Sequence, residues 1–191
     1  MIDFGGNEEL HNQLSVLKLT PGFANVESLL IMRDAERNAE GAIKQISASL
    51  GKVNLPVPEG PGVWVSQGGK LKVGYLLFPD CNNIAKEGTL EDLCLSILKQ
   101  SDYIKVLEEI RRFLVLLKQN CQREFSHEFK TRLHTYFSVT DKFVGMKIGE
   151  AAEAQAFDWN HDKLSFFKSF LLAAQCVNQK NNVMIARPVG D

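Results

Sequence analysis

Residues 28–42 read SLLIMRDAERNAEGA, five largely apolar residues running into Arg33, Asp34, Ala35 and Glu36. The run 28–32 is short and continuous, the pattern of a strand covered on both faces. From about Glu36 the pattern changes, and Ala39, Ile43, Ile46 and Leu50 recur at helical spacing as far as residue 50. A strand exit therefore carries two acids one residue apart. Alternate residues at the end of an extended segment project to the same side, so both carboxylates can converge. Helix N-termini also attract acids through the dipole alone. Spacing by itself leaves a cation site and a plain helix start both open.

Working outward, MIDFGG at 1–6 reads as a short strand ending in a glycine turn. NEELHNQLSVLKL at 7–19 reads as a helix, with Leu10, Leu14 and Leu17 on one face and Asn7 as its cap. Thr20-Pro21-Gly22 ends it. Strand–helix–strand–helix predicts a parallel, doubly wound sheet. GKVNLPVPEGPG at 51–62 is punctuation, and VWVS followed by LKVGYLLF predicts a hairpin turning at Gly68-Gly69. Residues 81–88 form a loop. Thr89 then caps a helix, with Asp92 three residues later in a capping box. A long amphipathic helix follows at 103–121, supported by the Glu108/Arg112 pair. Residues 128–157 continue helical with breaks, and 162–175 form a last helix. The fold class expected is α/β, a Rossmann-like, mainly parallel sheet with flanking helices and a helical C-terminal part. Residues 1–100 form the α/β core, 101–175 a helical part packed on it, and 176–191 a tail, in one compact domain.

The chain has 191 residues, 45% hydrophobic, enough for a core of ordinary size. Lys and Arg number 22 against 23 Asp and Glu. That balance argues against a constitutive high-affinity nucleic-acid binder. Cys81, Cys94, Cys121 and Cys176 are far apart with no CxxC, so neither a zinc cage nor a disulfide framework is indicated. No signal peptide and no membrane span are legible, which predicts a cytoplasmic protein with reduced thiols. His127 and His134 could share a helix face but lack a third ligand, and His11 and His161 are isolated. Neither a G-x-x-x-x-G-K-[ST] loop nor a G-x-S-x-G elbow occurs. Phe166, Phe167 and Phe170 have the spacing of core residues.

A second acidic group lies beyond the second apolar strand: Asp80 after YLLFP, then Glu91 and Asp92 in GTLED. If the strands are parallel, these sit near the same sheet edge as Asp34 and Glu36. The capping box accounts for Asp92 but leaves Glu91 without a local reason. Ligands of open parallel sheets bind outside the carboxyl ends of the strands. Carboxylate oxygens there suit Mg²⁺ or Mn²⁺, and paired metals about 4 Å apart can clamp an in-line phosphoryl displacement.

The combination of DFGG, IMRDAERNAEGA, FPD, GTLEDLCL and IGEAAEAQAFDW resembles a Toprim-like family of prokaryotic proteins. That family is similar in turn to the Toprim domains of the overcoming-lysogenization-defect nucleases. The resemblance covers about residues 2–173. It implies a Rossmann-like sheet with an acidic, magnesium-binding edge. Asp34 and Glu36 match the paired acids of the Toprim motif, and Glu91, with Asp92 beside it, falls where a further acid is carried. Asp80 stands at the neighbouring strand exit. Lys142, in TDKF, matches a basic residue of the family's C-terminal segment, implying a catalytic role. Toprim domains also open with a glutamate-bearing strand that has no counterpart here, since Glu8 and Glu9 follow the glycine pair. Two functions are therefore expected as alternatives. One is a divalent-metal-dependent nuclease or phosphotransfer domain acting on nucleic acid. The other is a catalytically degenerate module with a structural or protein-interaction role, as a homo-oligomer or with a protein partner packed on the 103–119 helix.

Overall fold

The computed structural model describes residues 9–66, 68–99 and 103–175. The expected strand at 1–6, the Asn7 cap, Cys176 and the tail lie outside these residues. Strand β1 is Ser28–Asp34, β2 is Trp64–Ser66 and β3 is Lys72–Phe78. Together they form a three-stranded mixed sheet in the order β1-β3-β2. β1 pairs parallel with β3, and β2 pairs antiparallel with it. The hairpin meets the expectation, the β1–β3 pairing supplies the parallel exits that convergence of the acids requires, and the chain is α/β with helices flanking a small mixed sheet.

The helices are α1 Leu10–Leu19, α2 Ala39–Lys52, α3 Leu90–Ser96, α4 Tyr103–Cys121, α5 Glu128–Ser138, α6 Ile148–Glu153 and α7 Ser165–Gln175. α2 starts three residues later than the apolar pattern suggests. Asn38 caps it, its side chain accepting from the Gly41 N–H at 2.8 Å. Asparagine is among the preferred cap residues, and Glu36 is not. Glu36 instead takes a left-handed backbone conformation. α1 has Glu9 at its cap position, with no side-chain cap bond.

The pleat sorts the strands between two cores. Ile31, Val73, Tyr75 and Leu77 face α1 and α2, against Leu10, Leu14, Ala42, Ile46 and Leu50. Leu30, Met32, Leu76 and Phe78 face the helical part, against Leu93, Leu114, Leu133, Phe137, Phe157 and Leu164. The sheet is covered on both faces, as the continuous apolar run predicts. α7 is fastened to the sheet by Trp64, which stacks on Phe170 at 4.6 Å and donates its Nε1–H to the Phe170 carbonyl at 3.1 Å. Phe170 is buried, and Phe166 and Phe167 pack on the same cluster, so all three are core residues. Among the described residues no helix is long and apolar enough to cross a membrane.

Candidate functional site

Asp34 stands opposite Phe78 in the β1–β3 register, so the two parallel strands end at one edge. Beyond them the Ala35 N–H donates to the Phe78 carbonyl at 3.2 Å. Glu36 and Gly88 then exchange two backbone hydrogen bonds, of 2.9 and 2.8 Å. Glu36 adopts a φ of +56° in doing so. This exchange draws residues 88–92, and with them the start of α3, against the exit of β1.

Each acid there has a definable position. Asp34 is half-buried, and its Oδ1 accepts from the Leu90 N–H at 2.8 Å, so the exit of β1 holds the first turn of α3. Asp92 closes the capping box, its Oδ2 accepting from the Thr89 N–H at 2.8 Å and the Thr89 hydroxyl at 3.2 Å. Asp80, in the turn after β3, pairs with Lys86 Nζ at 2.7 Å. Glu36 is exposed. Glu91 is partly exposed in the first turn of α3, and among the described residues it makes no hydrogen bond or ion pair. The parallel pairing thus brings Asp34, Glu36, Glu91 and Asp92 to one edge, with Asp80 at the adjoining strand exit.

The electrostatics follow from that crowding. Burial pushes the Asp34 carboxyl above its ordinary value. The charges of Glu91, Glu36 and Asp92 push it further, while the Leu90 N–H pulls it back. Burial likewise raises Asp92; its Thr89 bonds and the Arg132 guanidinium oppose this, and Glu91 adds to it. Two cations were not anticipated. Arg33 is buried under the acids on the α2 side, donating to the Asp34 carbonyl at 3.3 Å and to Gln45 at 3.0 Å. Burial lowers its pKa, and Glu36 and Asp34 counter that. Arg132 comes from α5, which packs on α3. Its Nε is buried and has no hydrogen-bond partner among the described residues, and its guanidinium lies 6.0 Å from the Phe129 ring. Arg33 was legible as a neighbour of Asp34, whereas nothing local in the sequence brings residue 132 to residue 92.

Lys142 sits in a 3₁₀ turn, Asp141–Phe143, with its Nζ 5.6 Å from the Phe143 ring. No contact among the described residues joins it to the acids. His127 begins α5, and His134 lies edge-on to Phe137 at 6.0 Å. Cys81 and Cys94 are free and buried, and burial pushes each thiol up to about 12, so neither is a nucleophile at neutral pH.

Among the described residues no three carboxylate, imidazole or thiol groups form a ready-made metal cage. Among the described residues the charged donors at the edge are carboxylate oxygens. That set fits a hard cation held by one or two carboxylates that keeps several waters, and it does not fit a closed zinc site.

The Asp34 carboxyl also sets a pH dependence. Its native pKa lies above the ordinary 3.8, so between those two values the native chain binds more protons than the unfolded one. Stability then falls as pH rises through that window, and the destabilisation is fully present above it. Asp34→Asn keeps an acceptor for the Leu90 N–H and removes the charge. In chelator it is expected to melt above the native chain at pH 7, with the difference gone below the ordinary carboxylate value. Thermal melts from acid to neutral pH check this, and a lower Tm for Asp34→Asn at pH 7 contradicts it.

Fold and edge together define a small α/β domain in which two parallel strands deliver acids to one exit. A family model described as "Protein of unknown function (DUF3226)" matches residues 1–175, and the chain belongs to that family. No curated protein and no solved structure gives a match to the chain.

Proposed function

We propose that this is a Toprim-like, cytoplasmic protein whose acidic edge binds Mg²⁺ or Mn²⁺ and supports phosphodiester cleavage or transfer on nucleic acid. The described sheet would then be part of a Rossmann-like, mainly parallel one. Glu91 carries the reading. It adds negative charge to an edge where Asp34 is already hard to ionise, and it satisfies no donor among the described residues in return. A divalent cation would relieve that repulsion. Asp34 and Glu91 would hold the ion, with Glu36 at the open side. A cation there neutralises charge developing on phosphoryl oxygens. Arg132, beside Asp92, is the cation positioned to favour an anionic substrate at the same edge. Lys142 would serve only if substrate binding brought it closer.

A second reading rests on a different observation. Asp34, Asp92 and Asp80 each already have a structural partner in Leu90, Thr89 and Lys86. On that basis the edge is a clasp between sheet and helices, and the protein is a catalytically degenerate module that acts through a partner. Incubation with plasmid and single-stranded oligonucleotides in Mn²⁺ separates the two. The first reading expects cleavage that falls about 100-fold or more in Glu91→Gln and Asp34→Asn, the scale of losing a transition-state electrostatic contact. Cleavage unchanged by either substitution removes the assignment, and the absence of cleavage by the native chain favours the clasp.

A further inference from the structure

The helix α4 has one face too many. Its inner stripe, Ile110 and Leu114 with Val106, Leu107 and Leu117, packs into the helical core. A surface helix normally turns a polar face to water opposite such a stripe. On α4 that outer side carries Ile104, 63% exposed, and Leu116, 53% exposed, with Phe113 and Val115 exposed at its flanks. Single exposed apolar residues are ordinary, but four on one helix outside its buried stripe are not.

The order of residues on that side says what covers it. Ile104, Glu108, Arg112 and Leu116 stand four apart, so they form one ridge along the helix. Read in the opposite direction, the ridge is Leu, Arg, Glu, Ile. A second copy laid antiparallel about a two-fold axis near residue 110 sets Ile104 against Leu116 and Glu108 against Arg112, each pair twice. That is the self-complementarity an isologous contact requires. A parallel copy would instead stack Glu108 on Glu108 and Arg112 on Arg112. Ridges of this four-residue spacing interdigitate at about −50° in the commonest helix packing.

The surface relief agrees with the pairing. A shallow groove of about 420 Å³ is lined by Arg111, Arg112, Val115 and Leu116, in the C-terminal half of α4. The same two-fold lays the N-terminal half of the copy's α4 over it. Ile104 of the copy then meets Val115 and Leu116, while Glu108 of the copy meets Arg111 and Arg112. Within one chain Arg112 already pairs with Glu108 at 3.7 Å and Glu109 at 2.5 Å, so its guanidinium lies on the acidic side of the ridge.

We propose that the outer face of α4 is an antiparallel homodimer interface, centred near residue 110 and held by reciprocal Ile104–Leu116 and Glu108–Arg112 contacts. It does not depend on the acidic edge or on any activity there.

Sedimentation equilibrium tests this on the full chain, from about 1 to about 300 µM, the range that covers small reversible interfaces. The native chain is expected to pass from 21.4 kDa towards twice that mass. Glu108→Arg and Arg112→Glu each place like charges opposite one another at both symmetric positions. Each is expected to weaken self-association at least tenfold. Mixing the two variants restores Glu opposite Arg at both positions, so an equimolar mixture is expected to regain the dimer that neither forms alone. Far-UV circular dichroism checks that the variants are folded: Glu108→Arg loses one exposed helical ion pair and Arg112→Glu loses two. Leu116→Asp gives a second handle and is expected to keep the chain monomeric. Three results would overturn the proposal. They are a native chain monomeric throughout, as when residues 176–191 cover this face, a dimer indifferent to the substitutions, or a mixture that fails to recover.

Discussion

Gly88→Ala is expected to destabilise the protein by about 3 kcal/mol, the sum of backbone strain and overpacking terms of about 1–3 kcal/mol each. Gly88 adopts a φ of +139°, a region in which a β-carbon is strained. An added Cβ would lie 2.9 Å from Asp92 Oδ2 and 2.9 Å from the Pro79 ring. Proline is a rigid neighbour, and Asp92 is committed to the capping box. The alanine therefore pushes against both the strand exit and the α3 start that the Glu36–Gly88 exchange joins. For a chain of this length the loss is about 6–12 °C in Tm. Amide exchange at Glu36 and Leu90 should accelerate beyond the global change, because those bonds depend on this juncture. A Tm within about 2 °C of the native value, small against what a defect of this class produces, would show that the edge yields without strain.

Phe137→Ala is expected to remove about 3–5 kcal/mol, as truncation of a buried aromatic ring does. Phe137 is 1% exposed and sits centrally in the helical core. Its ring meets Phe143 at 6.0 Å, His134 at 6.0 Å, Tyr136 at 6.2 Å and Phe157 at 6.4 Å. Those neighbours come from α5, the 3₁₀ turn at Asp141–Phe143 and the segment after α6, which cannot close together on the void. Since the sheet lies between the two cores, the loss should appear as one cooperative transition in urea, at a lower midpoint with unchanged slope. A loss below about 1 kcal/mol would mean that this cluster is not the organising core of the helical part.

Local chemistry made much of this architecture legible. The apolar runs at 28–32 and 71–78 named β1 and β3. Gly68-Gly69 named the hairpin, and the bounds 103–121 of α4 follow from its apolar spacing. The Thr89–Asp92 box needs only a cap and an acid three residues on, and it is present as expected. The start of α2 was misplaced because the apolar period says nothing about caps, although Asn38 is a strong cap in plain view. What sequence could not reveal is what distant elements do to one another. Arg132 reaches the acids because α5 packs on α3. Asp34 holds Leu90, 56 residues away, only because β1 and β3 are parallel and Gly88 folds back on Glu36. Lys142 was assigned by resemblance alone, and its turn places it over Phe143, with no contact to the acids.

The edge built from Asp34, Glu36 and Glu91 is proposed to bind a divalent cation. Calorimetric titration of Mn²⁺ into the native chain, Glu91→Gln and Asp34→Asn tests it most directly. Among the described residues Glu91→Gln disturbs no hydrogen bond or ion pair, and Asp34→Asn retains an acceptor for Leu90. One saturable site is expected on the native chain, weakened about tenfold or more by either substitution, the scale of losing a charged ligand or its support. Equal binding by all three chains, or none by the native one, would contradict it and leave the acids as the clasp that joins sheet to helices.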